Sequence, residues 1–535
     1  MLSLILTFLL TACGGGYIAG DPDKEINYYV MLDPVILDPQ ITFFYQDIPL
    51  VGIISEGLMK RDRDGKIVPG LADSYEVDEK GIQYTFHIRD DARFSNGEKI
   101  RAEDFVFAWQ RMLDPDSGSE AVYIILNSMD LEGAEDVYYN NAPLDTLGIG
   151  ALDDSTLTIS LNKPCPYLFS LLSLFCTGPC NEEYYYSHKD YYCKKTGNFI
   201  SSGPYMVDYF EPRSTQIHFR KNPYYYDAAS ISVPGVNMQV LTDQQQLMMS
   251  FEKGEADIIP VFGELLEIAG SREGTSEIPG GTVDYFCPNS ERRFFQNKNI
   301  RIALSLAVDR EKIANKVLKF GYTPAKRLIP PNTIFDSEGK DLGEETEKYR
   351  DTIGYDPDLA RQYWEKGLSE LGVTSITADF IVSADPGFID FVKQEWERCL
   401  PGFKMDIRSL PGKAYLQEMN EGNYDICYAG WAADYSDPTA YLSVFRSDSL
   451  FNFSRYRNEE YDRILDECGE EPLALDEKKR NEKLQEVEDM LIEDAIVIPL
   501  FFEGSVQMIS PRVKGVVFNS FSPVVSFNWA SKEEE

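Results

Sequence analysis

Residues 67–115 read IVPGLADSYEVDEKGIQYTFHIRDDARFSNGEKIRAEDFVFAWQRMLDP, and two hydrophobic periods follow each other inside that one stretch. Ile82, Tyr84, Phe86 and Ile88 alternate with Gln83, Thr85, His87 and Arg89, the period of two of a half-buried strand. Phe105, Ala108, Trp109 and Met112 then recur at helical spacing within AEDFVFAWQRML. Strand and helix alternate, so the class is α/β. His87 falls on the polar face of its strand and reads as a surface histidine. Just upstream, RDRDGKIVPG at 61–70 lacks the alternating acids and distal Glu of a calcium loop, and Asp64-Gly65 reads as a polar hairpin turn.

Working outward, Leu157, Ile159 and Leu161 repeat the strand alternation. Asp356 and Pro357 stand as N-cap and first residue of a helix whose inward stripe is Ala360, Trp364 and Leu368. Asp309 caps a further helix, DREKIANKVLKF. A helical stretch at 475–494 runs into VIPLFFEG and a strand-like tail, which predicts that the C-terminus returns to an earlier sheet. Connections rich in Pro and Gly lie at 201–204, 278–281 and 329–343, and the chain has no internal repeat.

With 535 residues the chain exceeds one ordinary domain, so two or three lobes are expected. Its 43% hydrophobic and 26% charged residues are those of a globular protein. Lys plus Arg number 51 against 88 Asp plus Glu, and the net charge of −37 repels phosphate backbones, which excludes nucleic acid as a partner. Three histidines leave little for zinc or general-base schemes. No nucleophile elbow, zinc-protease helix, phosphate loop or dinucleotide fingerprint occurs. A hydrolase built on two carboxylates would leave no such motif, and so many Asp and Glu make any chosen pair worthless as a signal.

MLSLILTFLLTA at 1–12 is an uncharged apolar run about half the ~20 residues of a membrane span and reads as a signal-peptide core. Leu10-Thr11-Ala12-Cys13 resembles the bacterial lipobox, with residues 1–13 the lipoprotein signal peptide including its lipidation Cys13, and 14–25 a tether that begins Gly14-Gly15-Gly16. An exported protein held on the membrane by its lipid alone is the expectation. Eight cysteines remain: Cys165, Cys176, Cys180, Cys193, Cys287, Cys399, Cys427 and Cys468. Cys176 and Cys180 have the spacing of a metal half-site without a matching second half, so a local disulfide or buried thiols are preferred.

Seven blocks share a common order: Leu37-Asp38-Pro39, Glu56-Gly57-Leu58, the stretch 67–115, Gly203-Pro204-Tyr205, RKNPYYYD at 220–227, NIRIALSLAVDREKI at 299–313 and AGWAADYSDPTAYL at 429–442. Together they resemble the peptide-binding branch of solute-binding protein family 5, the oligopeptide-binding proteins of ABC importers. The first two blocks would introduce that family's opening strand and helix. The resemblance implies a periplasmic-binding-protein-like type II (cluster C) fold with two main lobes plus an extra one. Lobe I would comprise 26–55, 181–284 and 502–531, lobe II 56–180 and lobe III 285–501, with two crossover strands joining them. Ligand would be enclosed between lobes I and III by a hinge motion and left chemically unchanged, with no enzyme activity, cofactor or metal. The partners implied are an oligopeptide, an ABC permease and its cytoplasmic ATPases, with the receptor itself a monomer outside the cytoplasm.

By the same resemblance, Asp434 anchors the peptide α-ammonium, and the Asp434-Tyr435 pair favours peptides with a free N-terminus. Ala429, Gly430, Trp431 and Ala432 present main chain to the ligand strand, with the Trp431 ring walling a pocket. Tyr45 pairs the ligand's other edge and Asn452 is a polar position near the pocket. Departures are also visible. Ser119 is followed by Glu120-Ala121 where family members carry Pro-Tyr, so that tyrosine contact is missing, although Tyr123 is close. Tyr428, Met419 and Leu318 replace basic residues that hold short peptides' C-termini, and Glu291-Arg292-Arg293-Phe294-Phe295 reads as a solvated loop. Dipeptides, nickel chelates, haem and sugars are the alternative solutes, and a secreted hydrolase is the alternative class.

Overall fold

The computed structural model of the chain describes residues 21–533 except 22, 43, 45, 264, 271, 345, 384–386 and 522–523. Cys13, the tether up to residue 20 and Tyr45 therefore lie outside the described residues. The strand read from its alternation spans Gln83–Ile88, with Tyr84, Phe86 and Ile88 buried and His87 half-exposed. It is central in a four-stranded antiparallel sheet with Ala72–Val77, Thr156–Ser160 and Ile149–Asp153. The helix Ala102–Leu113 packs on this sheet by Phe105, Ala108, Trp109 and Met112, all fully buried. Its first turn is closed by the Asp104 carboxylate, which accepts from the Arg101 N–H at 2.7 Å. Asp64-Gly65 turns a hairpin between Met59–Arg61 and Ile67–Pro69, with Gly65 at φ +81°.

A second, eleven-stranded sheet runs in the order Phe403–Ser409, Ile376–Val382, Ile426–Ala432, Thr275–Pro288, Ile498–Ile509, Ile258–Val261, Ile26–Val30, Gly235–Val240, Gln216–Lys221, Tyr205–Tyr209, with Tyr322–Pro324 also on Ile498–Ile509. The expected return of the C-terminus to an earlier sheet is thus met by Ile498–Ile509. Together with Thr275–Pro288 this strand crosses between the two halves of the sheet. Helices cap as read: the Asp356 carboxylate accepts from Asp358 and Leu359 N–H at 3.1 and 2.9 Å ahead of Pro357–Leu371. Asp309 caps one α-turn, Arg310–Lys312, which then widens into a π-helix, Ile313–Leu318.

Two expectations need correcting. Leu37-Asp38-Pro39 follows the opening strand Ile26–Val30 instead of introducing it, and precedes the helix Ile48–Ile54; Glu56-Gly57-Leu58 follows that helix. The loop is ordered from afar, because buried Asp38 is ion-paired with buried Arg111 of the helix Ala102–Leu113. All eight cysteines are free and buried, so the local disulfide gives way to the buried-thiol alternative. Cys180 Sγ sits 3.5 Å from Arg111 Nη1 and 3.5 Å from the Tyr192 hydroxyl.

The crossover strands lose register between Ile278 and Thr282, at Pro279-Gly280-Gly281. A Cβ at Gly280 would lie 1.8 Å from the Glu503 carbonyl oxygen, and one at Gly504 2.5 Å from that of Ile278. Only glycines let the two backbones approach so closely. Gly280→Ala is expected to cost about 1–3 kcal/mol in urea-unfolding stability; an unchanged midpoint would contradict that close approach.

Candidate functional site

The strand Ile426–Ala432 lies antiparallel to Thr275–Pro288 along its whole length, from Pro288 opposite Ile426 to Thr282 opposite Ala432. Its other edge pairs with Ile376–Val382 only through Phe380 with Ile426 and Ile381 with Cys427. From residue 428 onward that second edge has no strand partner among the described residues. Gly430 and Ala432 are exposed, Trp431 is half-buried and Ala429 is buried. Unpaired N–H and C=O groups in a row are a template for one more strand. The Trp431 indole is held beside this edge: its Nε1 donates to the Ala440 carbonyl at 2.7 Å and its ring packs on Phe451 at 5.1 Å.

The strand runs into a loop that carries Asp434. Its carboxylate does not cap the next helix, Thr439–Leu442, where Pro438 is the N-cap. Burial pushes the Asp434 carboxyl above its ordinary value, and a hydrogen bond donated by the Tyr123 hydroxyl partly offsets that rise. No lysine or arginine among the described residues contributes to its charge balance. Tyr123 is the N-cap of the π-helix Ile124–Ser128 and stands two residues beyond Glu120-Ala121. The only sequence signal for it was a tyrosine two residues late.

The loop is tied down on its far side. Asp437 receives two parallel bonds of 2.8 Å from Arg480, and both residues are buried. Asp437 also accepts from the Thr439 N–H at 2.9 Å. Tyr435 stacks on Tyr167 at 4.3 Å and the Ser436 N–H donates to Ser170 Oγ at 2.9 Å. Tyr435 is therefore spent on packing the loop against residues 167–170, whereas Asp434 follows directly on the end of strand 426–432.

Asn452 is not brought to this edge with a free amide. It is 5% exposed, its Nδ2 donates to the carbonyls of Phe445, Arg446 and Tyr456 at 3.3, 3.0 and 2.8 Å, and its Oδ1 accepts from Ser454 Oγ at 2.8 Å. It ties the loop 445–456, because a buried amide must be satisfied by its own turn. Arg292 likewise donates to the carbonyls of Tyr424 and Gly422 at 3.0 and 2.7 Å and Arg293 to that of Leu371 at 3.2 Å, while Glu291, Arg292 and Arg293 stay exposed, which fits the solvated loop read from the sequence. Where basic residues were replaced, the Tyr428 hydroxyl donates to Asp284 Oδ1 at 2.5 Å and Met419 is buried.

The sequence model of the bacterial extracellular solute-binding proteins, family 5 Middle, matches residues 66–453. A dipeptide-binding protein of Lactococcus lactis subsp. cremoris is 27% identical over 529 residues, covering 96% of this chain and 94% of its own. Among solved structures, Listeria monocytogenes OppA bound to peptide is similar with a TM-score of 0.72 at 25% identity, covering 96% of this chain and 99% of that one. The unliganded open form of MppA, a periplasmic murein tripeptide binding protein, gives a TM-score of 0.81 at 25% identity over 95% of this chain and 97% of that one. These neighbours share the type II periplasmic-binding-protein architecture that the sheet order displays.

Proposed function

The chain belongs to the bacterial extracellular solute-binding proteins of family 5, and on that footing we propose that it captures oligopeptides by their backbone and free N-terminus and delivers them to an ABC permease. It is a substrate-binding protein of the peptide-importer family, not an enzyme. The observation that carries the finer reading is the free edge of residues 429–432 leading into the half-buried Asp434 carboxylate, which has no cationic partner among the described residues. Added as a strand, a peptide bonds through groups every peptide has, so affinity does not depend on its sequence. Its ammonium meets Asp434, where a charge-assisted bond in a closed, desolvated cleft selects for a free amine.

The lobes proposed are 26–55 with 181–284 and 502–531, then 56–180, then 285–501. Closure would take place at the glycine crossing of the two long strands. The higher TM-score to an unliganded open form than to a peptide-bound one supports an open cleft here, as does the exposure of Gly430 and Ala432. No helix among the described residues is long and apolar enough to cross a membrane. Anchoring through a lipid on Cys13 is the attachment proposed, with ATP hydrolysis left to cytoplasmic partners of the permease.

The test is to express residues 17–535, denature the purified protein and identify released small molecules by mass spectrometry. Mixed short peptides are expected; release of a chelate, haem or sugar, with no thermal shift in a peptide pool, would end the peptide reading. Two further outcomes follow from Asp434. Tyr123→Phe is expected to weaken an amine-bearing peptide by about 1–2 kcal/mol in calorimetry, since it removes a bond to a charged group. The ammonium needs the ionised carboxylate, and the folded carboxyl holds its proton to higher pH than the ordinary ~3.9 of an aspartate. Affinity therefore falls as pH drops through that raised value, while an N-acetylated peptide shows no such loss.

A further inference from the structure

Beside the free edge, on the face of the strand shared by Gly430 and Ala432, the chain keeps two carboxylates that no cation neutralises. Asp284 lies directly opposite Gly430 and is 4% exposed. Its Oδ1 accepts from the Tyr428 hydroxyl at 2.5 Å, and its buried Oδ2 has no hydrogen-bond partner. Glu503, half-buried, lies opposite both Thr282 and Tyr322, and so faces the same side as Asp284. Burial raises the proton affinity of both carboxylates, Glu503 raises that of Asp284 further, and no lysine or arginine among the described residues acts on either. The titratable groups acting with them among the described residues are the phenols of Tyr428 and Tyr322, and the Phe501 ring lies opposite Asp284. A Cβ at position 430 would stand 2.9 Å from Asp284 Oδ1, so glycine there keeps the carboxylate reachable from the free edge.

An uncompensated buried carboxylate costs several kcal/mol, and a neighbouring second one adds to it. Such a pair destabilises the unliganded fold, and it shares the sheet face of Gly430, next to the free edge. A peptide whose ammonium lies at Asp434 and which runs antiparallel along residues 432–429 advances about 3.3 Å per residue. The strand ends at Ala432, two residues short of Asp434, so the first residue of such a peptide comes beside position 432 or 433 and its third or fourth beside Gly430. We propose that Asp284 and Glu503 form a specificity pocket for a basic side chain, Lys or Arg, at the third or fourth residue of the bound peptide. This rests on the reading of Asp434 as the N-terminal anchor.

The pocket is tested by calorimetry of wild-type protein with penta-alanine and its single-lysine, single-norleucine and single-glutamate variants at each position. Lysine at position 3 or 4 is expected to bind about tenfold or more tighter than norleucine there, with glutamate weaker than both. Burial and Glu503 push the Asp284 carboxyl up to about 7, so the lysine-to-norleucine ratio should grow between pH 6 and 8 as the pair sheds its proton. In Asp284→Asn and in Glu503→Gln the ratio falls toward one; the half-buried Glu503 position carries the test if the first variant fails to fold. Equal affinities for lysine and norleucine at every position, or a ratio unmoved in Glu503→Gln, overturn the pocket while leaving N-terminal capture standing. If penta-alanine itself does not bind, N-terminal capture and the pocket fall together.

Discussion

Asp434→Asn is expected to weaken capture of a free-amine peptide by about 3 kcal/mol or more, over a hundredfold in Kd. Asparagine keeps the size of the side chain and an oxygen that can accept from Tyr123, so the fold and the loop persist and only the charge is lost. What remains is an ammonium enclosed in a closed cleft against a neutral amide, the costly half of a broken buried pair. The variant should also cease to distinguish a peptide from its N-acetyl derivative. Titration of the wild type and the variant with both ligands gives the four constants; retention of tight, amine-selective binding by the variant would place the anchor elsewhere.

Arg480→Met is the second large effect, expected to cost about 3–5 kcal/mol of unfolding free energy. Arg480 and Asp437 are 3% and 6% exposed, and the guanidinium also donates to the Cys468 carbonyl at 3.0 Å. Removing it leaves the Asp437 carboxylate buried and uncompensated three residues beyond Asp434. The loop that presents the anchor loses its tie to the helix Glu477–Glu493, so peptide affinity should fall as well. Adding Asp437→Asn to Arg480→Met should recover part of the stability, because the orphaned charge goes with its partner. Urea unfolding of the two single variants and the double variant measures this coupling; strict additivity would show that the pair contributes no mutual stabilisation.

How much of this was legible in the sequence depended on range. Periodicity read the strand Gln83–Ile88 and the helix Ala102–Leu113 correctly, since one face of each is buried and the period is local. Caps at Asp356 and Asp309 were legible for the same reason, being bonds to the next two or three N–H groups. Asp434 and residues 429–432 were named through a resemblance in one contiguous block. What makes them a candidate site was not legible: the edge is free because pairing with Ile376–Val382 stops at Cys427, a matter of strand register. Tyr123 meets Asp434 from 311 positions away, and Arg480 reaches Asp437 across 43, distances over which side-chain type carries no signal. Asn452 misled for the opposite reason, as a polar residue near the right block whose amide is consumed by its own loop. Asp284 and Glu503 were lost among 88 acidic residues until the strands put them on one face.

The most direct measurement of the central claim is a calorimetric titration of the wild-type protein with one oligopeptide and its N-acetylated twin at neutral pH. Capture through a free N-terminus predicts a Kd at least about a hundredfold weaker for the acetylated peptide, with backbone contacts otherwise unchanged. Equal constants for the two peptides would contradict it.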